Sequence, residues 1–237
     1  MRKETDMEWE NLESQYLVDN EFLKVRQDKV KLPTGDIIDD FFVIERKNVS
    51  LIVAIDEEKR IIIKDEYRYP IDKHLIELPG GTFDLGEKDP LAVAKRELLE
   101  ETGYSADEWE LLFTNYDYPT KDVNQVNIYL AKNIKRVSEQ QLDLGEDIKF
   151  SFVPLEKAVS MCMDNTICVN GTVAAILKTV LSHCSWIDCL FSFATISFCC
   201  LPVVYGRKLR TTVHNWWQLV SQKLPLDKLE LTHNTYK

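Results

Sequence analysis

The sequence lacks the excess of basic residues that binding to a polyanion requires. It has 29 Lys and Arg against 39 Asp and Glu, which gives a net charge of −10 at pH 7. Nucleic acid backbones and anionic membranes attract basic surfaces. We therefore expect no polymeric nucleic acid as a partner. The hydrophobic fraction of 45% is still ordinary for a globular protein with a sizeable core.

Cysteine is missing before Cys162, and all six cysteines lie between Cys162 and Cys200. This distribution is not a disulfide framework, and no pair has the C-x-x-C spacing with partner histidines that marks a zinc site. An apolar run is also missing after Met1, where the sequence reads MRKETDMEWE. The sequence thus predicts no secretory signal, free thiols and a cytoplasmic location.

One stretch, residues 80–104, combines a glycine loop with an acidic helix: GGTFDLGEKDPLAVAKRELLEETGY. Asp89 can cap the helix and Pro90 suits its first position, while Gly103 suits the left-handed residue that ends it. A core-facing stripe recurs at helical spacing, formed by Leu91, Ala94 and Leu98. The stretch predicts a helix from Pro90 to Gly103.

Three carboxylates, Glu97, Glu100 and Glu101, lie within one turn of this helix. They repel one another, and in a cleft a cation would offset that repulsion. Mg²⁺ prefers such oxygen ligands and shares its coordination shell with substrate phosphates. Spacing alone also fits a solvated acidic surface.

The same stretch resembles the signature of the Nudix hydrolases. Gly81, five residues and Glu87 form its first half, and its second half is in register, with Arg96, Glu97, Leu98, Glu100, Glu101 and Gly103. Two positions depart from the family pattern: eight residues separate Glu87 from Arg96 where seven are usual, and Tyr104 replaces an aliphatic residue.

The resemblance implies a metal site and a bracing arginine. Glu97, Glu100, Glu101 and the backbone near Gly81 would hold Mg²⁺, or Mn²⁺, and Arg96 would pair with an acidic residue to brace the loop. The extra residue leaves the role of Glu87 open.

The N-terminal string FLKVRQDKVKLPTGDIIDDFFVIE and the later YRYP before ELPGG are similar to one Nudix subfamily, which hydrolyses ADP-ribose and related nucleoside diphosphate sugars. That similarity implies an α+β Nudix fold, an α/β/α sandwich with a mixed sheet, preceded by an antiparallel sheet that builds a homodimer. We expect residues 1–48 to form that sheet and residues 49–181 the Nudix domain.

Residues outside the signature bear on the substrate. Arg68 beside Tyr67 and Tyr69 can contact a diphosphate while a ring stacks on a base, or it can be a surface arginine beside packing tyrosines. Pro119 lies where the ADP-ribose subfamily places a loop proline. The subfamily also implies that Glu146, in the string GEDI, is the base that activates water, with Glu100 as the rival.

The composition changes at Ser182, after which charged residues become sparse. Residues 189–205 form an uncharged, aromatic-rich run with a basic flank, the pattern of a short membrane helix. Ser192, Pro202 and the entrance Asp188 argue against a span. We expect residues 182–237 to be a non-catalytic tail of uncertain order.

These observations together predict Mg²⁺-dependent hydrolysis of ADP-ribose to AMP and ribose 5-phosphate, or of a related nucleoside diphosphate sugar. Two alternatives stay open: a Nudix hydrolase of another diphosphate, such as GDP-mannose or an oxidised nucleotide, and a module that binds ADP-ribose without cutting it.

Overall fold

The chain forms a small N-terminal sheet followed by a larger sheet with helices on both faces. The computed structural model describes residues 8–183. Three antiparallel strands make the first sheet in the order β1-β2-β3: Glu10–Asp19, Leu23–Lys31 and Ile37–Arg46. The second sheet has seven strands: β4 Val49–Ile55, β5 Arg60–Arg68, β6 Lys73–Glu77, β7 Gly80–Thr82, β8 Tyr104–Asn115, β9 Val126–Arg136 and β10 Ile148–Pro154. The helices are α1 Pro90–Thr102, α2 Leu155–Met163 and α3 Asn170–His183.

The larger sheet is mixed. Its main order is β10-β5-β4-β9-β8, with β4 and β9 parallel and the other pairs antiparallel; β6 is added on β5 and β7 on β4. Alternate residues of β4 enter separate cores, because successive side chains of a strand point to opposite faces. Ile52 and Ala54 pack with Ala94 and Leu98 of α1, whereas Val53 lies in the core that also contains residues of α2 and α3. This arrangement confirms the predicted α+β class with helices on both faces of a mixed sheet.

Helix α1 begins and ends where its sequence predicts. The Asp89 side chain accepts a hydrogen bond from the Leu91 amide at 3.0 Å, and Pro90 occupies the first turn. Gly103 adopts φ 74° and donates its N–H to Leu99 O, which closes the last turn. The polar face that carries the carboxylates therefore has a fixed orientation on the sheet.

The structure differs from the sequence-based expectations in the strands. Strand β2 is continuous from Leu23 to Lys31, although its pairing with β3 shifts register between Asp28 and Val30. The glycine pair, predicted as a turn, forms the short strand β7, with Gly80 opposite Leu51 and Gly81 opposite Ser50. Strand β6, which the sequence did not predict, pairs with the end of β5.

The N-terminal sheet is joined to the larger unit through β3. The Ile44 amide donates to Lys121 O at 2.7 Å, and Arg46 forms an ion pair with the buried Asp122. By contrast, every residue of β1 is exposed. The domain boundary predicted at residue 48 falls between β3 and β4 and stays a prediction.

The predicted tail, residues 182–237, lies outside the described residues beyond His183. Within residues 8–183, no helix combines the length and the apolar character needed to cross a membrane.

Candidate active site

Charged side chains fill the space between β5, β6, β7 and helix α1. Alternation along β5 places Lys64, Glu66 and Arg68 on the strand face that packs toward α1. Glu77 of β6 lies directly opposite Lys64 in the antiparallel register, so it shares that face. Lys64, Glu66 and Glu77 are all buried. Such a density of buried charge is costly unless each group is paired, so the pairings define this site.

Glu101 is the most deeply buried carboxylate of α1. It forms an ion pair with Lys64 and accepts a hydrogen bond from the Gly80 amide at 2.8 Å. Burial raises the pKa of Glu101 to about 7, although Lys64 and the Gly80 amide oppose that shift. The Glu101 side chain therefore connects helix α1 to both β5 and β7.

Glu97 lies one turn earlier on the same face and is also buried. Its carboxylate pairs with Arg96 Nη1 at 2.9 Å. Burial raises the pKa of Glu97 to about 7, with Arg96 opposing and Glu101 and Glu100 adding to the shift. A Cβ built on Gly81 would lie only 2.5 Å from Glu97 Oε1, so the absent side chain of Gly81 makes room for this carboxylate.

Arg96 binds the signature loop to the helix. Its Nε and Nη2 donate to the two oxygens of Glu87 at 3.1 and 3.0 Å, and Nη2 also donates to Thr82 O. Its Nη1 donates to Glu100 at 2.8 Å. Arg96 lowers the pKa of Glu87, and the Asp84 amide adds to that effect. The structure therefore identifies Glu87 as the acidic partner of the predicted bracing arginine, despite the longer loop.

Arg68 is held by two carboxylates. Its Nε and Nη2 donate to the two oxygens of Glu77 at 3.0 and 2.7 Å, and its Nη1 donates to Glu66 at 2.6 Å. The side chain remains 37% exposed. Because a guanidinium carries more N–H groups than these bonds use, Arg68 can still donate to an anion that enters the cleft.

Glu146 lies on the loop between β9 and β10, whose two ends are attached to the site. Gln140 Nε2 donates to Glu101 O at 2.6 Å, the Gln141 amide donates to Glu100 O at 2.8 Å, and Ile148 is opposite Glu66 in the sheet. The Glu146 carboxylate itself accepts from the Asp143 amide at 2.9 Å. The loop is placed beside α1, but this carboxylate caps its own turn.

Two predicted substrate residues lie apart from the carboxylates. Tyr67 points to the face of β5 opposite Arg68; its hydroxyl donates to Asp72 at 2.8 Å, and its ring contacts His74. Pro119 belongs to an exposed turn closed by bonds to Tyr118 O, next to β3. The structure brings together Arg68, Gly81, Arg96, Glu97, Glu100 and Glu101, but not Tyr67 or Pro119.

Two further members of the cluster, Lys64 and Glu66, escaped the sequence reasoning. The signal was present in the string IIIKDEYR, where Lys64, Glu66 and Arg68 occupy alternate positions after three isoleucines, although Asp65 on the other face is charged as well. Charged residues at alternate positions of an otherwise buried strand must face a polar cleft or a partner of opposite charge. That pattern would have identified the second wall of the site.

The carboxylates are engaged with basic side chains. In the part of the chain that the structure describes, no three acidic, histidine or cysteine side chains converge as a ready-made metal site. The donor set nevertheless fits a hard divalent cation, because Glu97 and Glu101 are buried carboxylates whose negative charge is only partly offset. Carboxylate oxygens at this spacing are the ligands that such an ion prefers, and the buried Glu66, whose Oε2 lies 2.9 Å from Lys64 Nζ, adds a third carboxylate to the cluster.

Comparison with known proteins decides the family. A family model described as the NUDIX domain matches residues 45–166, and one described as the nucleoside diphosphate sugar hydrolase N-terminal domain matches residues 9–44. The chain belongs to the Nudix family. The sequence-based assignment to the Nudix hydrolases, with the subfamily's N-terminal domain, is confirmed.

Several known proteins are similar to this chain over most of their own length. The methanol dehydrogenase activator of Bacillus methanolicus is 28% identical over 74% of this chain and 97% of its own. The ADP-ribose pyrophosphatase of Mycobacterium tuberculosis is 28% identical over 72% of this chain and 82% of its own. The ADP-ribose pyrophosphatase of Bacillus subtilis is 29% identical over 56% of this chain and 71% of its own.

A solved structure supports the Nudix fold. The crystal structure of an ADP compounds hydrolase superposes with a TM-score of 0.63, at 19% identity, over 72% of this chain and 91% of that one. The predicted Nudix fold is thereby confirmed. Nudix hydrolases use divalent metal ions, which agrees with the donor set on α1.

Proposed function

We propose that this Nudix hydrolase cleaves the pyrophosphate bond of ADP-ribose, giving AMP and ribose 5-phosphate, or of a closely related nucleoside diphosphate sugar. One observation carries the proposal: the N-terminal domain of nucleoside diphosphate sugar hydrolases and the Nudix domain occur in the same chain, with all three α1 carboxylates retained. The relatives named ADP-ribose pyrophosphatase support the choice of substrate.

Four positions would hold Mg²⁺, or Mn²⁺ in its place: Glu97, Glu100, Glu101 and the backbone of Gly81. When bound, the cation neutralises the diphosphate and orients the attacking water. Glu97 and Glu101 supply the negative charge that attracts it, and burial keeps competing water away from them. Arg96 keeps the signature loop against the helix through Glu87.

The remaining roles fall to the cleft and the adjoining loop. Arg68, fixed by Glu77 and Glu66, would donate its remaining N–H groups to the diphosphate. Glu146 would accept the proton of the attacking water once its loop turns the carboxylate inward from Asp143. Glu100, which is half-exposed and bound to Arg96, is the alternative base. Pro119 keeps its proposed contact with the substrate only if its turn moves toward the cleft, and Tyr67, near the end of β5 on the face opposite Arg68, only if that strand end rearranges.

A panel of diphosphates tests this proposal. The purified chain with Mg²⁺ is incubated with ADP-ribose, GDP-mannose and a dinucleoside polyphosphate, and phosphate is measured after phosphatase treatment. For an oxidised nucleoside triphosphate, which phosphatase degrades even when uncut, released pyrophosphate is measured instead. We expect the highest kcat/KM for ADP-ribose, with AMP and ribose 5-phosphate as products. Preference for another substrate would support the alternative hydrolase. Tight ADP-ribose binding by calorimetry without product would support a binding module instead.

We also propose that the chain is a cytoplasmic homodimer assembled through the N-terminal sheet. Every residue of β1 is exposed, including several large apolar side chains: Leu12, Tyr16, Leu17 and Val18. A three-stranded sheet with such an apolar outer strand has the character of an interface. The subfamily resemblance, which implies a dimer, points in the same direction.

Substitution of Leu12 by aspartate tests this interface. We expect the parent chain to have about twice the 27.6 kDa mass of one chain by light scattering, and Leu12→Asp to be a monomer, because a charge buried at an apolar interface costs several kcal/mol. Val137→Asp, at another exposed apolar position, is the matched control and should stay dimeric. A monomeric parent, or a dimeric Leu12→Asp, would contradict the proposal.

A further inference from the structure

The ammonium group of Lys64 lies inside the acidic site. Lys64 is 2% exposed, and its Nζ contacts Glu101 Oε1, Glu66 Oε2 at 2.9 Å and the Gly80 carbonyl at 3.3 Å. Two of these groups belong to elements that carry proposed metal-binding positions: Glu101 itself, and Gly80 beside Gly81. A lysine whose three neighbours are all anionic or carbonyl oxygens has the surroundings of a bound cation.

Lys64 is not required there by the fold. Its neighbours on β5, Ile61, Ile62 and Ile63, are apolar and buried, so the strand needs no charge to stay in the core. A buried ion pair is weak evidence for stability, because the cost of desolvation offsets the Coulomb attraction. The position of Lys64 between two carboxylates therefore calls for an explanation in terms of the site.

We propose that Lys64 is a built-in cation of the active site, a positioning residue that occupies one side of Glu101 and competes with divalent ions for it. This inference rests on the proposed function, because it concerns the metal site of that reaction. Lys64 then does two things at once. It holds Glu101 and the Gly80 carbonyl in place before a metal binds, and its positive charge weakens the affinity for the divalent cation.

The charge balance makes the second effect measurable. With Lys64 replaced by a neutral side chain, Glu66 and Glu101 both lose a unit positive charge at contact distance. The attraction between a divalent cation and the site increases accordingly, by at least tenfold in affinity even at the effective dielectric of a partly wetted cleft. A lysine that only braced Glu101 would have the opposite effect, because its loss would leave a ligand misplaced.

The experiment measures Mn²⁺ binding by isothermal titration calorimetry on the full chain, after removal of metals with EDTA and without substrate. Three proteins are compared: the parent, Lys64→Met, and Lys149→Met as the matched control, since Lys149 is exposed on the neighbouring strand β10. We expect Lys64→Met to bind Mn²⁺ at least about tenfold more tightly than the parent, and Lys149→Met to be unchanged. An equal or weaker affinity of Lys64→Met overturns the proposal.

A second variant covers the case in which Lys64→Met does not fold, because it leaves two buried carboxylates without their shared cation. Lys64→Met combined with Glu66→Gln removes both members of one pair and leaves the net charge of the site unchanged. We expect this protein to bind Mn²⁺ at least as tightly as the parent, since Glu101 is freed for the metal. Weaker binding would show that Lys64 is a brace and would refute the competition.

The same titrations separate this inference from the proposed function. A parent chain that binds no Mn²⁺ would contradict the metal site itself, and with it both proposals. A parent that binds Mn²⁺ and hydrolyses ADP-ribose, with a Lys64→Met affinity equal to its own, would contradict only the role of Lys64.

Discussion

Replacement of Gly81 by alanine is expected to lower kcat/KM for ADP-ribose by about 100-fold, with little change in melting temperature. The new Cβ would lie 2.5 to 2.7 Å from the carboxylate atoms of Glu97, closer than any real contact. That carboxylate is the end of a flexible side chain, so it can swing away at small energetic cost. The displacement removes a proposed metal ligand from its position, and a shift of about 1 Å in a catalytic group can cost about 100-fold.

Gly80→Ala is the informative contrast, because the two glycines are adjacent but differ in what surrounds them. A Cβ on Gly80 would collide with the backbone oxygen of Ser50, which cannot move aside, and φ 145° is strained for any side chain. We therefore expect Gly80→Ala to lose stability, and Gly81→Ala to lose activity alone. Gly35→Ala, at φ 94° in an open turn away from the site, should lose some stability through backbone strain but no activity. Full activity of a folded Gly81→Ala would contradict the assigned contact.

Activity is measured as released phosphate over a range of Mg²⁺ concentrations, and stability by thermal unfolding of the same preparations. If Glu97 is displaced as expected, Gly81→Ala should also need a higher Mg²⁺ concentration for half-maximal rate than the parent does. A parallel loss of activity and melting temperature would instead indicate a disturbed strand β7.

The helix half of the site could be predicted from sequence because its determinants are local. Asp89, Pro90 and Gly103 fix the two ends of α1, and the spacing of Glu97, Glu100 and Glu101 places these residues within one turn. Glu87 illustrates the limit of such reasoning. The additional residue around Lys88 left the role of Glu87 open, yet a loop can absorb one residue, and Arg96 still contacts both oxygens of Glu87.

The opposite wall of the site could not be predicted because it depends on pairing between distant segments. Lys64 meets Glu101 only because the sheet brings β5 within side-chain reach of α1, and Glu77 meets Arg68 only through the register of β5 with β6. Tyr67 and Arg68 are adjacent in sequence and looked like one substrate site, but strand alternation directs them to opposite faces. The local sequence shows which residues carry charge, but the register of the strands determines which of these side chains come into contact.

Substitution of Glu97 by glutamine is expected to have opposite effects on activity and on the stability of the metal-free protein. Activity with Mg²⁺ should fall by about 100- to 1,000-fold, the range for loss of one preorganised electrostatic contact. In EDTA at pH 8, however, the free energy of unfolding should rise by about 1–3 kcal/mol. The buried, ionised carboxylate destabilises the metal-free fold, and a neutral amide of the same shape removes this destabilisation.

The sign follows from protonation. Burial raises the pKa of Glu97 in the folded chain to about 7, above its usual value of 4.5. Between these values the folded state binds more protons than the unfolded state, so stability falls as pH rises and the full cost is present above pH 7. Below pH 4.5 both states are protonated, and parent and variant should become similar.

Urea unfolding from pH 4 to 8 should therefore show a difference in the free energy of unfolding between Glu97→Gln and the parent that grows with pH. It should be absent for Glu57→Gln at an exposed turn, whereas an equal or lower stability of Glu97→Gln at pH 8 would contradict the burial argument. If the expectation holds, the same carboxylate that favours cation binding lowers the stability of the metal-free protein.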